Sequence, residues 1–139
     1  MRVLALTLVV GLAHAPLAYC EQIPISALRV DANANIVRCQ VAVVTLTKEA
    51  NDHPITAEKI QDVEQCKLAA KQEADKDYEA ALKEVQAKPE ALSAFKAWYA
   101  AWLDELMSMS PGREALQKQE AKHEVVKRLW SRFETAWNS

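Results

Sequence analysis

IVRCQVAVVTLT, residues 36–47, decides the fold. Its density of β-branched residues fits a strand. Yet Leu28, Ala32, Cys39, Val43, Leu46 and Ala50 recur through and around it at helical spacings, with Asn35 intruding, as in a helix that buries one face. A strand here would also lack a partner, because no other segment of the chain has strand character and a lone strand leaves its backbone groups unsatisfied. The stretch therefore predicts a helix, over 26–51. Ser26 would cap its first turn, with Ile25 and Val30 as a hydrophobic staple.

Outward from this helix, the chain is punctuated by prolines at 24, 54, 89 and 111, each where a helix can begin, and beyond residue 20 it holds one glycine, Gly112. A β-rich domain would need more positions that tolerate positive φ. NDHP, residues 51–54, reads as a turn. Thr56 then caps a second helix over 57–87, with Ile55 and Ile60 as a second staple. QAKPEAL, residues 86–92, offers neither a capping side chain nor a glycine, but Pro89 suits a first helical turn and favours a reversal over one long kinked helix.

The third helix, 89–109, carries Leu92, Phe95, Tyr99, Trp102, Leu106 and Met109 at alternating spacings of three and four, flanked by Trp98 and Leu103. At ~100° per residue these span an arc of roughly 140°, with Glu90, Lys96 and Asp104 opposite. After SMSPGRE, with Ser110 as cap and Pro111 in the first turn, a fourth helix over 111–137 aligns Leu116, His123, Val126, Trp130, Phe133 and Trp137. The fold class is all-α: four helices as two antiparallel hairpins.

The hairpin register tests the cysteines. Cys39 stands about 11 residues before the end of the first helix and Cys66 about 9 after the start of the second; at ~1.5 Å per residue both lie roughly 15 Å from the same turn. They should form a disulfide, worth about 3 to 3.5 kcal/mol by chain entropy. No CxxC, CxxCH or Cys/His ligand spacing is present, which argues against zinc-finger, thioredoxin-like and c-type haem chemistry.

The opening residues MRVLALTLVVGLAHA, with one basic residue before an uncharged apolar run, have the layout of a secretory signal. Cleavage is expected after Cys20, with lipid attachment to Cys20 as the rival, since Tyr19 is large for the position before a lipidated cysteine. The apolar run is short of the ~20 residues of a membrane span. The expected location is secreted or periplasmic, an oxidising setting that suits one disulfide. Without Arg2, 16 basic residues face 19 acidic ones, a net charge of −3 that gives no electrostatic basis for nucleic-acid binding.

For chemistry the sequence offers little. His53 stands in a turn before Pro54 with no second ligand at a helical offset, so solvation explains it; His123, on the apolar stripe, reads as a half-buried histidine or a pH-sensitive contact. One glycine excludes phosphate-cradling loops, and the cysteines are consumed, so catalysis, metal and cofactor are not expected. The charge shifts from 12 acids and 7 bases over 52–107 to 4 acids and 6 bases over 110–137. Aromatic residues crowd the last two helices. Trp98 and Trp137 are hard to bury in four helices, and with Trp102 they are the expected contacts to an unknown protein partner. The expected function is a non-enzymatic protein-binding module of inhibitor, immunity or adaptor type; the alternatives are an envelope chaperone or an apolar-ligand carrier, the last requiring a cavity lined by the tryptophans.

Overall fold

The computed structural model describes residues 24–139; the signal-like stretch and Cys20 lie outside them. Four helices follow in order: α1 (Pro24–Glu49), α2 (Ala57–Val85), α3 (Pro89–Met107) and α4 (Arg113–Asn138), with no strand among the described residues. Residues 36–47 are helical throughout. Helical periodicity overrides their β propensity because α1 buries Ile25, Leu28, Ala32, Asn35, Ile36, Cys39, Val43 and Leu46 on one side, while Val30, Val37 and Val41 project into solvent.

The helices pair as α1 with α2 and α3 with α4, and the two hairpins join along α2 and α3. Cys39 and Cys66 are disulfide-bonded across the first hairpin, with Cα atoms 5.8 Å apart, in the register that the turn sets. α3 is central, packing on all three others and burying Phe95, Trp98, Tyr99, Trp102 and Leu106. α2 meets this bulk with small residues: Ala70, Ala74 and Ala81 are fully buried between Val63 and Val85. Tyr78 of α2 stacks on Tyr99 and Phe95, with centroids 3.9 and 5.3 Å away.

Local boundaries shift for identifiable reasons. α1 is already helical at Pro24, the first described residue, so Ser26 lies inside the helix, and Val30 is exposed and cannot staple Ile25. At α2, Thr56 caps as expected, its hydroxyl accepting from Lys59 N–H at 3.4 Å, but Ile60 is exposed and its staple stays open. Ser110 is not the cap of α4. Gly112 is, at φ 130° and ψ 146°, a conformation that L side chains rarely adopt, and its N–H donates to Thr47 Oγ1 of α1 at 2.9 Å. Just before it, Lys67 of α2 is buried and donates to the carbonyls of Met107 and Met109 at 3.2 and 3.1 Å, covering acceptors that the end of α3 leaves free. The α3–α4 loop is thereby pinned to both helices of the first hairpin.

Candidate functional site

α1 and α4 barely meet. Between them runs a groove of about 740 Å³. Ile36, Val37 and Val44 of α1 form one wall, and Leu116, Gln119, His123, Lys127 and Trp130 of α4 the other. Trp98 and Glu105 of α3 lie at its base. This arrangement follows from helical phase. Trp98 and Glu105 are seven residues apart on α3, as are His123 and Trp130 on antiparallel α4, so each pair presents side chains on one face at levels about 10 Å apart.

The lower level is polar. Glu105 is 1% exposed, and its Oε1 lies 2.9 Å from His123 Nδ1. Gln119 Nε2 and Ser108 Oγ both donate to the backbone carbonyl of Glu105, at 3.2 and 3.1 Å. Burial pushes the Glu105 carboxyl above the usual carboxylate range, against the contact with His123, which holds it down. Its second oxygen, Oε2, has no hydrogen-bond partner among the described residues. The upper level is aromatic. Trp98 and Trp130 meet edge to face with centroids 4.8 Å apart, the Arg29 guanidinium lies 4.7 Å from the Trp130 centroid, and Trp130 Nε1 is likewise without a partner among the described residues. Arg29 also pairs with Glu134 at 2.9 Å, fastening α1 to α4 beyond the aromatic level.

The structure does not bring the three expected partner-binding tryptophans to one surface. Trp98 is 2% exposed and only borders the groove; Trp102 is fully buried, its Nε1 donating to the Ala32 carbonyl at 3.1 Å. Both are core residues because α3 has a neighbour on three sides, which corrects the expectation that they face a partner. Trp137 is half-buried at the far end of α4, stacked on Phe133 and lying under Lys88, away from the groove. His53 is exposed in the α1–α2 turn. No group of three His, Cys, Asp or Glu side chains with metal-binding geometry occurs among the described residues, and no described helix is long and apolar enough to cross a membrane.

Glu105 is the residue that sequence reasoning missed. The signal was there: it stands seven after Trp98 and three after Trp102, bordering the apolar arc of α3 beside Trp98 rather than opposite it. It supplies the partner that made the position of His123 intelligible. Comparison with protein-family models, curated proteins and solved structures finds no match to this chain.

Proposed function

We propose that this protein is a non-catalytic binding protein that holds an amphiphilic ligand in the α1–α4 groove, and that it works in an oxidising compartment outside the cytoplasm. The observation that carries the reading is the groove itself: its volume of about 740 Å³ lies within the range of small-molecule sites, and its lining sets Ile36, Val37, Val44, Leu116, Trp98 and Trp130 beside a larger number of polar and charged side chains, as an amphiphilic ligand requires. The Cys39–Cys66 disulfide and the signal-like opening residues support the compartment. Bromo-octane tests the groove. Bound there, its bromine quenches the fluorescence of Trp98 and Trp130 in a saturable, stoichiometric way, and Val37→Arg, which changes an exposed residue of the wall, abolishes the effect. Quenching that does not saturate, or that survives in the variant, refutes the reading.

A second reading, a protein partner docked on α1, is favoured by Val30, Val37 and Val41, which stand on one helical face at 63%, 58% and 61% exposure. Val30 and Val41 do not line the groove. The double variant Val30→Asp, Val41→Asp therefore separates the two: loss of a protein partner with alkyl binding intact would establish docking on α1.

A further inference from the structure

From the buried, half-satisfied carboxyl at the base of the groove, we infer that the ligand's polar head is a hydrogen-bond donor, a hydroxyl or primary amine on an aliphatic chain, and that it binds Glu105. The inference rests on the reading of the α1–α4 groove as a ligand site.

Glu105 lines the groove with both of its neighbours, His123 and Gln119. His123 Nδ1 engages Oε1, and the Gln119 amide donates to the Glu105 backbone carbonyl; Gln119 also lies close enough to favour the charged carboxyl, but no full hydrogen bond reaches Oε2. A carboxyl oxygen removed from water without a donor is costly, the more so if charged. Chains retain such a group where something supplies the missing bond. At pH values above its raised pKa the Glu105 carboxylate only accepts, so the complementary head there is N–H or O–H.

Ile36, Val37, Leu116 and the edges of Trp98 and Trp130 can contact the aliphatic chain. Arg29 and Lys127, which also line the groove, would hold a carboxylate head instead. That makes the acidic head the competing outcome.

The test compares 1-octanol, octylamine and octanoate by titration calorimetry at pH 8 on the disulfide-bonded protein and on two variants. Glu105→Leu removes both oxygens at similar volume. Glu105→Gln keeps an acceptor for His123 and presents an amide N–H₂ where Oε2 was. The alcohol and the amine should bind the native protein at least tenfold more tightly than octanoate, with the amine leading if the carboxylate's charge contributes. Glu105→Leu should erase that preference, and Glu105→Gln should shift it toward octanoate, an inversion that a merely structural glutamate would not produce. Equal binding of all three probes, unchanged in both variants, overturns the role of Glu105 and leaves the groove standing. Tightest binding of octanoate by the native protein also overturns it, in favour of Arg29 and Lys127. Failure of all three probes, together with failure of bromo-octane, removes the groove reading as well.

Discussion

Cutting the Cys39–Cys66 crosslink should cost the domain a large share of its stability. The sequence separation of the two cysteines is 27. With a loop of that length, the chain-entropy relation gives about 12 cal/mol/K of denatured-state entropy, or about 3.5 kcal/mol at 25 °C. Small domains hold only ~5 to 15 kcal/mol in total. At ~2.1 cal/mol/K per residue over roughly 116 ordered residues, the unfolding entropy is about 0.24 kcal/mol/K, so Tm should fall by about 14 °C. The assay is thermal unfolding followed by far-ultraviolet circular dichroism, on the oxidised protein, the reduced protein and the Cys39→Ala, Cys66→Ala variant. The reduced protein isolates the crosslink, since both sulfurs remain to fill the interior; the variant also leaves a small cavity at Cys39, which is fully buried. A drop below about 4 °C in both would refute the reasoning, because it would mean that the α1–α2 hairpin persists in the denatured chain and leaves little entropy for the bond to remove.

Three further outcomes follow from the packing. Trp102→Ala should lower stability by about 3 to 5 kcal/mol, since it empties a fully buried site and strands the Ala32 carbonyl, whereas Trp137→Ala should cost about 1 kcal/mol; chemical denaturation reads both, and similar losses would contradict the burial described here. Gly112→Ala should destabilise by about 1 to 3 kcal/mol through backbone strain alone, because a Cβ there meets nothing within 4 Å; a neutral result would show that the α3–α4 turn relaxes freely. For Glu105, the folded-state pKa lies above the unfolded value of about 4.3, so between the two the folded state binds the extra proton and stability falls as pH rises. The difference in stability between Glu105→Gln and the native protein should therefore grow in favour of the variant from pH 4 upward and level off above the raised pKa, as read by denaturant midpoints; a difference that stays flat or runs the other way would refute the assignment.

Much of the fold is legible in the residues themselves. The proline positions and the Thr56 cap locate the helices to within a few residues, and the phase of Cys39 against Cys66 fixes the register of the first hairpin. The ends of elements are less legible because tertiary partners set them. Gly112 outranks Ser110 as the start of α4 because Thr47, far off in sequence, waits for its N–H. The site is the least legible part. Periodicity shows which residues face inward but not which pair of helices stays apart, and whether an aromatic residue is core or surface depends on how many neighbours its helix acquires. Trp98 and Trp102 looked like contacts because α3 has a wide apolar arc, and three neighbouring helices cover most of that arc. Glu105 could have been singled out from its place beside Trp98 at the border of the arc, but its relation to His123 required the register between α3 and α4.

The alanine row of α2 has a consequence for how this chain can change. Ala70, Ala74 and Ala81 have no accessible surface, so α2 contributes little side-chain volume on its buried face, and the large rings of α3 supply the bulk of the core. Volume is thus distributed unevenly: α2 has none to lose, and α3 has no room to gain. Divergence in the two helices must then run in opposite directions, with enlargement of an α2 alanine tolerated only when an α3 ring shrinks in step. Such covariation would leave the α1–α4 groove, on the other side of α3, free to vary with whatever it holds.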